Sequence, residues 1–412
     1  MMRVKAAWVA IALAGVAVLA SVAVPQSPPA FRAFLERIRP EAEARGVAHA
    51  TFEAATADLT PDLSLPDLIT PGREQRRSEQ AEFVQTPAQY LAERTLQNLA
   101  TRGRRLWEQH RVILTGIEER FGVPPPVLLA IWGRETSYGT DRLRHDPLRV
   151  LATQAYLGRR KERFREEFVL ALKLIEEGRL TPARRKSSWA GAMGLVQFLP
   201  SDLYRYGIDA DLDGDVDIWT SVPDALASAA NQLKEKGWRS GIRWGHEMRA
   251  PRGLDCTLAE PAFKLPVREW LARGFVPAKG SIAPSDLAEE ASLILQGGND
   301  GPAFLLTRNY FVLKDYNFSD LYALFVGNLS DRIVGGSAFA TPWPRVAQVS
   351  AREIEAMQHR LTELGFYSDK IDGKAGMATR AAIGGFQKSK GLALDCWPSA
   401  AVLETLRRPR SR

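Results

Sequence analysis

The tetrapeptide Thr341-Pro342-Trp343-Pro344 constrains the folding of this 412-residue chain more than any other feature. Two prolines in four residues fix φ twice and remove two amide donors, so neither a helix nor a central strand can run through them. The span 337–345 therefore reads as a stiff linker. The residues before it are enough for a large domain, and those after it for a small one.

Residues 346–406 read as a unit of their own. Ile354, Met357, Leu361 and Leu364 recur at helical spacing, and Gly365 supplies a stop. The turn-rich Asp369-Lys370-Ile371-Asp372-Gly373 then leads into a second helix over about 378–388. A small three-helix domain is expected. Its seven acidic residues balance its seven basic ones, so bulk charge is not its binding device. Gly384-Gly385 sits inside the second helix, where each Gly costs about 1 kcal/mol relative to Ala.

Ahead of the linker, Tyr90–Phe121 reads as one long amphipathic helix, with Phe164–Ile175 and Asp224–Lys236 as further helices. Arg73–Gln80 is polar and expected to be exposed. Residues 241–279 loosen into a small strand-containing insertion. At the N-terminus, Arg3 and Lys5 precede the uncharged run Ala6–Val24, in which Ser21-Val22-Ala23 offers small residues to a signal peptidase. Residues 1–24 therefore read as a secretory signal, with an uncleaved membrane anchor as the alternative, because the run is just long enough to span. No cysteine near its end offers a lipidation site.

The formal charge is +7, but Arg3, Lys5 and the tail residues Arg407, Arg408, Arg410 and Arg412 account for six of it. The remainder is nearly neutral, which argues against a nucleic-acid binder. Two cysteines, Cys256 and Cys396, and five scattered histidines give no zinc pattern. Whether the two cysteines pair is open at this level.

Three segments can carry chemistry. In Val123–Gly139, prolines suit a helix start, and Glu135 follows Leu128, Ile131 and Trp132 at seven, four and three residues. A carboxyl on that apolar face is poorly solvated as an anion and suits a general acid. The alternative is a buried Glu neutralised by Arg134 or a distant Arg. In Ser188–Ser201, Gly191 and Gly194 permit close backbone approach, to a ligand or simply to neighbouring structure, and Gln197 can hydrogen-bond a sugar. In Asp209–Trp219, oxygens at alternate positions followed by Gly214 match the first half of a calcium loop. Thr220 stands where a bidentate Glu is usual, so Asp224 would complete the set of Asp209, Asp211, Asp213 and Asp215. The alternative is a solvated acidic loop.

These segments, in this order, resemble the B-type lytic murein transglycosylases over roughly residues 30–336. The carriers are Arg134-Glu135-Thr136-Ser137-Tyr138-Gly139, Ala190-Gly191-Ala192-Met193-Gly194 with Gln197-Phe198, the acidic loop ending at Trp219, and Asp315-Tyr316-Asn317. The tail resembles the type 1 peptidoglycan-binding domain through Leu364-Gly365-Phe366-Tyr367, Ile371-Asp372-Gly373 and Phe386-Gln387. The resemblance implies a mainly α, lysozyme-like core with a small inserted β-containing subdomain. It implies a monomeric periplasmic enzyme that cleaves peptidoglycan strands without water, giving 1,6-anhydromuramyl ends, with Glu135 as the single acid/base; the alternatives are a hydrolytic muramidase using the same Glu135 and a catalytically silent peptidoglycan-binding protein. It further implies a groove lined by Ser188, Met193, Gln197, Phe198, Tyr316 and Asn317. Arg159 and Arg160 would face the peptide carboxylates. The chemistry would need no cofactor, and Ca²⁺ would serve structure alone.

Overall fold

A computed structural model of the protein describes residues 28–69, 85–345 and 349–407. The N-terminal signal or anchor, the polar stretch Arg73–Gln80 and the tail beyond Arg407 lie outside the described residues. Among those described, no helix is long and apolar enough to cross a membrane.

The architecture is mainly α, as expected. Helices Pro29–Ala44, His49–Thr56, Pro147–Leu157 and Lys161–Glu176 pack as one group; Glu93–Gln109, Arg111–Phe121, Pro125–Thr136, Val222–Glu235 and Asp320–Ile333 pack around a shared apolar core. The single helix expected over 90–121 is broken. His110 (φ −109°, ψ 19°) ends one segment and starts the next. The first segment lays Gly103 against Tyr138 and Ile333, and the second turns Leu114, Ile117 and Phe121 into the core beside Val222–Glu235. Both share one apolar period, and no Pro or Gly marks the break.

The insertion is larger than the sequence suggested. Strands β1 (Gly245–Arg249), β2 (Lys264–Pro266), β3 (Val276–Pro277), β4 (Glu290–Asn299) and β5 (Ala303–Leu306) form an antiparallel sheet in the order β2-β4-β5-β1-β3. It reaches residue 306 because β4 and β5 are buried on both faces. Ile294, Phe304 and Leu306 enter the main core, whereas Leu293, Leu295, Ala303 and Leu305 enter a second core with Trp270 and Phe275. Alternation by two residues thus serves two interiors, leaving an unbroken apolar run instead of a polar/apolar pattern.

The C-terminal module has helices Ala351–Glu363, Met377–Ser389 and Ala400–Arg407. A capping box between Ser350 and Glu353 starts the first, and Gly365 (φ +81°) follows its end. Its span 337–345 is strapped down and does not act as a free tether. The Glu247 carboxylate accepts from the amides of Ala340 and Thr341 at 2.8 and 2.7 Å, and Phe339 and Trp343 pack on Phe304.

The module itself is docked on the second core. Arg380 donates to Leu295 O and Gln296 Oε1, Lys388 pairs with Asp255 at 2.7 Å, and Cys256 is disulfide-bonded to Cys396. This explains Gly384. A Cβ there would collide with Cys396 Sγ and lie 3.0 Å from Thr257 Cγ2. The helix accepts a poor helix former because the disulfide crosses it at that point. We predict that Gly384→Ala destabilises the fold by roughly 1–3 kcal/mol of overpacking and so lowers Tm, although helix propensity alone predicts the opposite sign. With Cys256 and Cys396 both replaced by Ala, the same substitution should turn neutral or stabilising in calorimetry.

Candidate active site

Helix Pro125–Thr136 starts on two prolines and is buried at every position except Arg134 and Glu135, which are half-buried. It stops sharply. Ser137, Tyr138 and Gly139 all have positive φ (49°, 57° and 77°), a run that two non-glycine residues adopt only when held there. The holding contacts are specific. Tyr138 donates to Leu99 O at 2.9 Å and packs edge-on to Trp132, its ring filling space above Gly103 and Gly133. Arg102 donates to Ser137 O at 3.0 Å, and Thr136 Oγ1 donates to Leu195 O at 2.8 Å. The last turn of a buried helix is thereby fixed with its carboxylate at the surface.

Glu135 Oε1 accepts a 2.5 Å hydrogen bond from the hydroxyl of Tyr322. Burial, and next the charge of Glu135, push the Tyr322 phenol well above its ordinary value of 10, so it remains neutral and donates. Tyr322 stacks on Tyr316 (6.2 Å, 10° between planes), and Tyr316 donates to Val196 O at 2.8 Å. These links gather the helix end, the 187–199 loop and helices Arg308–Asn317 and Asp320–Ile333 around one carboxylate. Arg332, at the far end of the Tyr322 helix, grips Glu93 through both terminal nitrogens at 2.5 and 2.7 Å. Arg134, the neutralising partner weighed from sequence, donates to Tyr90 Oη at 3.0 Å and lies over the Tyr90 and Phe325 rings.

Tyr322 was not among the sequence candidates. It sits in the apolar run Leu321-Tyr322-Ala323-Leu324-Phe325, and its only signal is that a phenol there needs a buried acceptor. Gln197 and Tyr316 meet in the 187–199 region; Gln197 takes φ +57° and donates from Nε2 to Gly194 O at 2.9 Å. Asn317 follows Tyr316 with its Oδ1 buried and unpartnered among the described residues. Ser188 Oγ accepts from the amides of Ala190 and Ala192.

Two groove candidates face the other way. Met193 and Phe198 are 0% and 1% exposed, because the bridges Ser187↔Met193 and Met193↔Phe198 turn both side chains into the core. They shape the loop from beneath and have no surface to offer a sugar. Gly191 and Gly194 serve packing and turning. Both have positive φ, and added Cβ atoms would strike Leu151 and the Ile218 carbonyl. Arg159 and Arg160 are exposed ahead of helix Lys161–Glu176, with Arg160 over the Phe164 ring at 5.4 Å.

The acidic loop divides by role. Ligand oxygens of Asp209, Asp211 and Asp213 lie within 4.8 Å of one another. Asp209 Oδ2 accepts from Gly214 N, while its Oδ1 is buried without a partner among the described residues. Asp215 is instead ion-paired to Arg184 at 2.8 Å, and Arg184 also holds Asp217 at 2.9 Å. Asp224 is buried and accepts from the amides of Ala210 and Asp217, both at 2.8 Å. It binds the loop together through backbone.

A mainly helical core with a carboxylate fixed at a buried helix end has the lysozyme-like architecture, here joined to a small helical module. The chain belongs to the transglycosylase SLT domain family, matched over residues 30–331, and residues 350–406 match the putative peptidoglycan binding domain. Membrane-bound lytic murein transglycosylase B of Escherichia coli (strain K12) is 30% identical over 234 residues, 55% of this chain and 62% of that protein. The alignment thus spans less than two thirds of that relative. The crystal structure of SltB3 from Pseudomonas aeruginosa in complex with NAG-anhNAM-pentapeptide aligns with TM-score 0.82 and 36% identity, covering 93% of this chain and all of that one. Escherichia coli Slt35 in complex with calcium shares the fold more distantly (TM-score 0.51, 24% identity, 73% of this chain and 83% of that one).

Proposed function

We propose that this protein is a periplasmic, monomeric lytic transglycosylase that cleaves the N-acetylmuramyl-β-1,4-N-acetylglucosamine bond of peptidoglycan. The observation that carries this reading is the half-buried carboxylate of Glu135 at the helix end, accepting from Tyr322, while other carboxylates of the domain are committed elsewhere. Asp215 and Asp217 are paired with Arg184, Asp224 binds amides, and Glu167 accepts from both the amide and the hydroxyl of Ser201. None of these stands ready as a second carboxylate nucleophile. The type of sugar in the ligands of SltB3 supports the same substrate class.

In this reading protonated Glu135 gives its proton to the glycosidic oxygen as the C1–O bond breaks. The substrate's own N-acetyl oxygen shields the positive charge at C1. The Glu135 carboxylate then removes the proton of the muramyl 6-hydroxyl while O6 attacks C1, closing the 1,6-anhydro ring and restoring the acid. Water is not consumed. Tyr322 aims the carboxyl throughout, Gln197, Tyr316, Asn317 and Ser188 border the sugar, and Arg159 and Arg160 meet peptide carboxylates. The C-terminal module would hold the enzyme on the wall.

The orphan Oδ1 of Asp209, amid three carboxylates, fits a hard divalent cation, which would relieve their mutual repulsion. Asp209, Asp211 and Asp213 would hold it, and its contribution would be loop stability.

Digestion of purified sacculi by the full chain should release anhydromuramyl ends in mass spectrometry; reducing ends would reassign it as a hydrolase. Glu135→Gln should cut turnover by roughly 10²–10⁴-fold, and an active Glu135→Gln would remove the acid/base role. Loss of one hydrogen bond to a charged group predicts a fall of roughly ten- to hundredfold in kcat for Tyr322→Phe, with the fold intact. A calcium chelator should lower Tm, calcium should restore it, and Asp211→Asn should blunt both effects; an unmoved Tm would dismiss the cation.

A further inference from the structure

A cavity of about 680 Å³ opens beside the end of the Glu135 helix. Thr136, the residue after Glu135, lies in its wall with Leu195 of the adjoining loop and with Trp219. Three cations also line it, Arg142, Arg144 and Lys186, and all three are exposed. The basic residues next to them are occupied, Arg184 by Asp215 and Asp217, and Arg185 by Asp146 at 2.9 Å. Arg142, Arg144 and Lys186 have no carboxylate partner among the described residues. Asp141, the acidic residue of the wall, accepts a hydrogen bond from Ser137 Oγ at 3.0 Å.

Three cations against the single carboxylate of Asp141 leave the concavity with an excess of positive charge, which raises the local concentration of anions. Guanidinium forks pair bidentately with carboxylates, whereas a neutral sugar makes poor use of them. The Thr136 hydroxyl is already given to Leu195 O, and beside the unpartnered Nε1 of Trp219 the charged donors of the cavity are the three cations. Arg159 and Arg160 form a separate pair, ahead of helix Lys161–Glu176.

We infer that this cavity takes a carboxylate-bearing peptide stem of the peptidoglycan strand, which makes the enzyme selective for peptide-substituted over bare glycan. The inference rests on the transglycosylase reading for its substrate. Because the cations are exposed, the attraction is screened by salt and acts mainly on capture of the strand.

The test compares the full chain with its Arg142→Gln/Arg144→Gln/Lys186→Gln variant on peptide-bearing strands and on strands stripped of peptide by an amidase. The expected result is a kcat/KM lower by roughly tenfold on peptide-bearing strands, carried by KM, with parity on stripped strands and an unchanged Tm. Equal losses on both substrates, or no loss on either, would overturn the assignment. A binding arm is independent of turnover. In a Glu135→Gln background, the disaccharide tetrapeptide should bind more tightly than the peptide-free disaccharide by calorimetry, and the triple substitution should shrink that difference, Arg159 and Arg160 supplying the remainder; an undiminished difference would overturn the assignment. If the parent cleaves neither substrate the transglycosylase reading fails, while this binding difference still decides the cavity.

Discussion

A helix packed on all sides can bring a charged group to the surface only at an end, and the structure around Glu135 follows from that constraint. Helix Pro125–Thr136 must stop immediately after the carboxylate and must stop rigidly, because a frayed turn would let the side chain wander. The left-handed run Ser137-Tyr138-Gly139 ends it, and Tyr138, Arg102 and Thr136 hold the run from three directions. Tyr322 then fixes the carboxyl itself. The apolar mass of the helix is therefore the support of the site and is insulated from solvent by the same packing.

The sheet solves a different problem, that of joining two interiors. Strands β4 and β5 show one row of side chains to the main core and the alternate row to the second core, so the two are welded through shared backbone. The C-terminal module seats on the far side of that weld, through Arg380, Lys388 and the disulfide. The strap at Glu247 shortens the travel between the two attachments.

Much of this was legible in the residues, and the failures share a physical cause. Glu135 stood out because its apolar neighbours lie three, four and seven residues before it, where spacing reports direction; Tyr316 and Asn317 came only through the family resemblance, since Tyr316 meets Val196 across 120 residues. Tyr322 meets Glu135 across 187 residues, a contact with no local period. Met193 and Phe198 were assigned to the groove because they belong to a recognisable segment, but two bridges decide which way they face. The break at His110 and the extra strands were hidden for a related reason, since an apolar period shows what is buried and not how many surfaces bury it. Gly384, which read as a flaw in a helix, becomes intelligible only with Cys396 lying across it.

The cysteine count has a consequence for the folding route. With two cysteines in the whole sequence, oxidation within one chain has a single product, so there is no wrong pairing to undo. Maturation then calls for an electron acceptor but not for an isomerase. Because the partners are 140 residues apart, one in the insertion and one in the C-terminal module, the bond can close only once that module has been made and brought onto the insertion, so oxidation marks the completion of docking.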